Sequence, residues 1–268
     1  VSNIVSNTGV VAADVTGVGT ARQYVSATEY GTGTAIFAYG ATPSYTGVTN
    51  LVTNVGVIGT DVSAVGTARN QLAACGYGDD KGIFAYGHGT PSYSALSNLI
   101  SNVGVVGTDV TGVGTARRYL GACEYGDDTG IFGYGGGPSG YLSMSNLISN
   151  TGVAATDTTG VGTARGVLAA CGYGGDKGIF AYGHTGSIVS MSNLVSNAGV
   201  IATDTTGVGT ARMRPNATQY GGDKGIFGYG ETPSVISITN LVSNAGVIAT
   251  DTTGVGTARA DLGGCSFN

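Results

Sequence analysis

An aspartate and an arginine recur together along this chain, eight residues apart each time: Asp14 and Arg22, Asp61 and Arg69, Asp109 and Arg117, Asp157 and Arg165, Asp204 and Arg212, Asp251 and Arg259. A guanidinium is a planar fork of donors that a carboxylate and backbone carbonyls can share, and charges persist in an interior when paired in this way. Six copies in a chain with only 10% charged residues point to a structural ion pair in every repeat, bridging neighbouring units. A ligand site rarely needs six identical copies, whereas a repeat array does.

Other arrangements have plainer readings. The Gly-Val-Gly-Thr-Ala-Arg element of residues 17–22 lacks the Lys-Ser/Thr ending and the helix of a phosphate loop, so it reads as a turn. Asp79-Asp80 and Asp127-Asp128 fall where a hairpin turn is expected rather than a calcium loop. Cys75, Cys123, Cys171 and Cys265 each lie six residues after the repeat Arg, in a slot filled elsewhere by Thr28 and Thr218, which suits small packing residues and not a disulfide framework. Asn216-Ala217-Thr218 is a glycosylation sequon inside an expected strand, and it reads as unused. The two histidines, His88 and His184, have no nucleophile at a diagnostic spacing. The expectation is therefore no catalytic residues, no metal and no cofactor.

Near-identical repeats make their differences informative. The two residues after each Arg vary most: Gln23-Tyr24, Asn70-Gln71, Arg118-Tyr119, Gly166-Val167, Met213-Arg214 and Ala260-Asp261. A second variable stretch carries Tyr45, Tyr93 and Tyr141, replaced later by Ile188 and Val235, with His88 and His184 close by. Exposed loops vary by drift and by selection for ligands alike. Tyr24, Tyr45, Gln71, His88, Tyr93, Arg118, Tyr119, Tyr141, His184, Arg214 and Asn216 are the candidate ligand-binding residues, a set suited to stacking on and hydrogen-bonding a neutral sugar.

The elements that position these residues follow from the repeats. Thr-Ala-Arg ends at residues 22, 69, 117, 165, 212 and 259, a period of 47 or 48 residues with several short β-like segments per period, as in propeller blades. One repeat divides into strand A (166–173), a Gly175-Asp176 turn, strand B (177–183), a loop, strand C (190–197) and strand D (199–206). Four of the five prolines, Pro43, Pro91, Pro138 and Pro233, lie in the B–C loops. In strand B, Phe84 and Tyr86, or Phe180 and Tyr182, alternate on one expected face, with Ile and Ala or Gly on the other, so that stacked sheets interdigitate. Fifty glycines provide the turns these short strands demand.

An Arg-led strand of small residues followed by Tyr-Gly-Gly-Asp-Lys-Gly-Ile-Phe-Gly-Tyr-Gly (residues 220–230) resembles the kelch repeat. The sequence departs from that pattern by separating the paired glycines (Gly228, Tyr229, Gly230) and by having no Trp. The repeats are also similar in wording to Gly- and Thr-rich repeats of predicted bacteriophage and environmental microbial proteins. The kelch resemblance implies an all-β, six-bladed β-propeller over 1–268 with strand A innermost. Complete repeats then span 23–69, 70–117, 118–165, 166–212 and 213–259, with 1–22 and 260–268 together forming a sixth blade. That blade has A, C and D without B. A parse starting each blade at C loses only an outer strand, and the sequence leaves both open.

The net charge of −5 and just three lysines (Lys81, Lys177, Lys224) offer no basic stripe for nucleic acid, and no apolar run is long enough to cross a bilayer. Nothing in residues 1–22 reads as a leader, and a chain beginning on Val1 is expected to be a processed or excised piece. The expected function is a non-enzymatic, lectin-like or adhesion module of an extracellular or virion surface, with a glycan or surface protein as partner and self-assembly through the incomplete blade. The alternative is a structural building block with no small-molecule ligand.

Overall fold

The computed structural model describes residues 1–267. Among these the protein is all-β, without a helix, and is built from small antiparallel sheets in a β-propeller-like arrangement. Five repeat units each form a three-stranded sheet in the order A-B-C. Unit 1 comprises Ser26–Tyr30, Thr34–Ala38 and Thr49–Val52. Unit 2 comprises Ala73–Tyr77, Lys81–Ala85 and Ser97–Ile100. Unit 3 comprises Gly121–Tyr125, Thr129–Gly133 and Ser145–Ile148. Unit 4 comprises Ala169–Tyr173, Lys177–Ala181 and Ser192–Val195. Unit 5 comprises Asn216–Tyr220, Lys224–Gly228 and Thr239–Val242.

The backbone of the fourth segment meets C through isolated paired bridges, such as Thr49 to Val62 and Val52 to Ile58. Residues 2–15 repeat this C–D pairing through Ser2–Val15 and Val5–Val11. The A strands of successive units pack side by side, and all of them, together with residues 264–266, line a narrow central cavity of about 60 Å³.

Strand B is shorter than its pattern promises because Tyr39, Tyr86, Tyr134, Tyr182 and Tyr229 all have positive φ, between 61° and 66°. A non-glycine residue adopts this conformation at a cost of order 1 kcal/mol, so surrounding contacts must hold it there. The reversal also corrects the expected side-chain pattern. Phe84 packs edge-on against Tyr39 of unit 1 at 5.3 Å, while Tyr86 turns the other way, onto Phe132 of unit 3 at 5.6 Å. Phe and Tyr of one strand therefore lie on opposite faces, and each joint between units closes with the Tyr of one and the Phe of the next. Tyr134–Phe180 and Tyr182–Phe227 repeat the contact.

The Asp/Arg pairs also differ from expectation. Arg22 pairs with Asp61, Arg69 with Asp109, Arg117 with Asp157 and Arg165 with Asp204, at 3.8 to 4.0 Å, and Asp251 is the carboxylate that acts on Arg212. The partner is thus the Asp that follows in the same unit, not the one eight residues before. Arg165 shows why: its Nε donates to the Tyr182 carbonyl, Nη1 to the Thr163 carbonyl and Nη2 to Asn193 Oδ1, so one buried side chain ties the start of A to the ends of B and C. Its guanidinium also lies 4.2 Å from the ring of Tyr134 in the preceding unit. The same bonds join the two ends of the chain, where Arg259 Nη2 donates to Asn3 Oδ1 and Nη1 lies 3.7 Å from Asp14.

The aspartates are exposed, and their close partners are neutral. Asp204 accepts from the Thr163 amide and hydroxyl and from Asn193. At Asp61, the Thr20 hydroxyl, Asn50 and the Thr20 amide hold the carboxyl down at about 2.

Candidate functional site

The residues after each Arg gather at the end of the molecule that also carries the B–C loops, because Arg69–Asn70 pairs with His88–Gly89 at the start of one such loop. Tyr24, Gln71, Tyr119, Val167, Arg214 and Asp261 all have φ of 54° to 58°. This backbone turn aims the amides of Tyr24, Tyr119, Val167 and Arg214 at the preceding unit. The Val167 amide donates to the Tyr119 carbonyl at 2.9 Å, Arg214 to Val167 at 2.8 Å, and Tyr24 to Asp261 at 2.9 Å, which again joins the two ends of the chain. With the Tyr119 amide donating to the Gln71 carbonyl at 2.9 Å, a partial collar of four main-chain bonds holds the variable side chains at this end of the molecule.

Several of those side chains meet. The rings of Tyr24 and Tyr119, from units 1 and 3, lie edge to face at 6.2 Å. The Arg118 guanidinium sits 5.2 Å from the Tyr93 ring and 5.1 Å from Tyr119, and donates to Gln71 Oε1 at 3.2 Å. Arg214 lies between Glu231 at 2.9 Å and Asp261 at 3.5 Å. Burial raises the Asp261 carboxyl to about 6 despite Arg214, and raises the Tyr119 phenol to about 12 with the help of Tyr24. Near the collar, Tyr45 hydrogen-bonds His88 Nδ1 at 2.7 Å and Tyr141 bonds His184 Nδ1 at 3.0 Å. Burial, then Arg118, lowers the pKa of the His88 imidazole. These Tyr–His pairs link the loops of successive units.

Asn216 stands apart from this group. Its amide donates to the Leu262 carbonyl at 2.9 Å, so the side chain ties unit 5 to the C-terminal segment. The turn aspartates are likewise engaged in scaffold bonds: Asp80 accepts from Asn102, Asp128 from Asn150 and Asp176 from Asn197. Among the described residues no group of three or more His, Cys, Asp or Glu side chains could hold a metal ion. The four cysteines are free thiols, three of them buried.

Sequence reasoning missed the lining of the central cavity. The position seven residues after each Arg reads Glu29, Gly76, Glu124, Gly172, Gln219 and Ser266. A Cβ at Gly76 would collide with the Glu124 carboxyl, and one at Gly172 with the Gln219 amide, so each glycine makes room for the long side chain of the following unit. Glu124 reaches across Gly76 towards Glu29. Burial and the facing Glu124 push Glu29 up to about 8, and burial also raises Glu124. Reading this one position down the repeats, with its alternation of long side chains and glycine, was the available signal.

No protein-family model matches the sequence, and no curated protein matches it.

Proposed function

We propose that the protein is a six-bladed β-propeller of kelch-like pattern, its sixth blade formed by both ends of the chain, and that it binds neutral glycans without catalysis at the mouth of its central channel. The convergence of Tyr24, Gln71, Arg118 and Tyr119, drawn from three units, carries this reading. A half-buried ring beside a fixed guanidinium and an amide offers a sugar a stacking face, with donors and acceptors for adjacent hydroxyls. The bonds joining Arg259 to Asn3 and Tyr24 to Asp261 support closure into six blades, and the Arg-led inner strands support the kelch likeness.

A glycan array with the intact protein tests the proposal. Binding to a defined sugar that falls at least about tenfold in Tyr119→Ala is the expected result, since a lost stacking contact is worth about 1 kcal/mol or more. Binding to no sugar, together with ordered self-assembly in electron micrographs, moves the assignment to a structural building block. One feature favours that second reading: Val10, Val57, Val105, Val153, Val200 and Val247 occupy equivalent C–D turns, and all are exposed. Metal analysis and substrate turnover assays are expected to be negative, and bound copper would overturn the non-enzymatic assignment.

A further inference from the structure

The chain has eleven lysines and arginines, and all of them lie within the described residues. Nine have a carboxylate within 4.0 Å. Asp251 acts on a tenth, Arg212. Arg118 is the eleventh, and it has no such carboxylate among the described residues. Residues 70–212, which make up its own unit and the units on either side, are described throughout. The unpaired charge therefore belongs to the interior of the repeat array and not to its ends.

The scaffold does not require a charge at this position. Its repeat equivalents are Gln23, Asn70, Gly166, Met213 and Ala260. The main-chain pair is the same whatever the side chain: Arg118 and Gly136 exchange bonds at 3.0 and 2.7 Å, Gly166 and His184 at 3.1 and 2.9 Å, Met213 and Glu231 at 2.9 and 2.8 Å. Nor is Arg118 a free surface arginine. It is half-buried, its Nη1 donates to Gln71 Oε1 at 3.2 Å, and its guanidinium stands 5.2 Å from the Tyr93 ring and 5.1 Å from the Tyr119 ring. These neighbours orient the guanidinium without neutralising it. Arg214, at the same end of the molecule, is the contrast, since Glu231 and Asp261 already balance its charge at 2.9 and 3.5 Å.

We infer that Arg118 forms a carboxylate subsite beside the stacking rings, and that the ligand is a glycan whose otherwise neutral chain carries one uronic acid residue. The inference rests on the glycan reading above and goes beyond its neutral ligand. A carboxylate is planar and singly charged, so it matches one guanidinium fork in shape and in charge. A phosphate ester carries up to two charges and has no second unpaired cation to meet. With its Oε1 engaged by Arg118, Gln71 keeps its amide nitrogen as a further donor. The sugar ring that bears the carboxylate then lies within reach of Tyr93 and Tyr119, which flank the same guanidinium.

The test titrates the intact chain with sodium glucuronate, glucose and sodium sulfate while the arginine Nε–H signals are followed by NMR, beside a glycan array that pairs neutral chains with their uronate-bearing counterparts. Glucuronate should shift the Arg118 signal saturably, at a concentration about tenfold lower than any effect of glucose, and less strongly as salt is raised. Arg118→Gln, checked for a native unfolding midpoint, should erase the difference between acid and neutral sugar, and Arg118→Lys should keep part of it. No shift at Arg118, an equal shift with sulfate, or an acid preference that survives Arg118→Gln would overturn the inference. Neutral glycans bound on the array without preference for their uronate counterparts would overturn it too, and would leave the glycan reading standing. A glucuronate shift reproduced by acetate, with no glycan bound on the array, would overturn the glycan reading and keep Arg118 as a carboxylate subsite.

Discussion

The joint between units 3 and 4 and the two joints flanking the chain ends are built from the same repeat, yet they are finished differently. At the first, Tyr134 is sandwiched between Phe180 and the Arg165 guanidinium, and all three are fully buried. At the second, Tyr229 has the Arg259 guanidinium at 4.2 Å but no Phe, and Phe37 has no Tyr, among the described residues. The comparison shows what strand B contributes beyond its own hydrogen bonds. It supplies one half of the aromatic contact on each side, and it completes burial of the arginine that knots its own unit. Removing it loosens two joints at once, while the Asp14–Thr257 and Asn3–Arg259 bonds still hold the chain ends together.

The largest expected effect comes from the arginines. Arg165→Ala removes three hydrogen bonds, a ring contact and a large buried side chain, and should destabilise by about 3 to 5 kcal/mol in denaturant unfolding. The loss arises from these contacts and not from a stranded carboxylate, since Asp204 keeps Thr163 and Asn193. Arg259→Ala should cost about 1 to 2 kcal/mol, because its Nε bond is already missing and the side chain is partly solvated. Equal losses for the two variants would erase the distinction between the joints.

The aromatic contacts give the next contrast. Phe180→Ala should cost about 3 to 4 kcal/mol and Phe37→Ala about 1 to 2 kcal/mol, both read from the same unfolding curves.

The smallest effect is a dependence on pH that separates the rim from the channel. Asp14, Asp61, Asp109, Asp157, Asp204 and Asp251 all titrate below their ordinary 3.8 when folded. Their contribution is therefore present above about 4 and is lost as pH falls, for Asp61 through about 2. Glu29 has the opposite sign. Its folded value lies above the ordinary 4.5, so its contribution is full below 4.5 and is lost as pH rises through about 8. Melting temperature should decline gently from pH 5 to pH 8 in the native chain. It should be flatter over that interval in Glu29→Gln and fall below pH 4 in both.

Much of this was legible from spacing. The period, the A–B turn and the lone C–D pair in residues 1–15 all follow from aligning Thr-Ala-Arg with itself. The arginine partner was not legible: the Asp eight residues before each Arg and the one following it are equally regular, and only sheet order brings the latter close. The opposite facing of Phe84 and Tyr86 was hidden for a related reason. Alternation assumes extended backbone throughout, and the Tyr carbonyl that meets Arg Nε requires a positive φ that Tyr has no intrinsic preference to adopt.

The amino-acid sequence by itself determined the repeat unit, its β character and which strand each unit contains, because these depend on local pattern and on turn residues. Tertiary structure alone decided which copies touch. Glu29 meets Glu124 across Gly76, Tyr24 meets Tyr119 over the channel, and Arg259 meets Asn3 from the far end of the chain. Each contact joins residues at repeat-equivalent or chain-terminal positions, and no spacing along one repeat can select among six near-identical copies. The closure of the chain on itself makes that choice, by giving every unit a defined neighbour on each side.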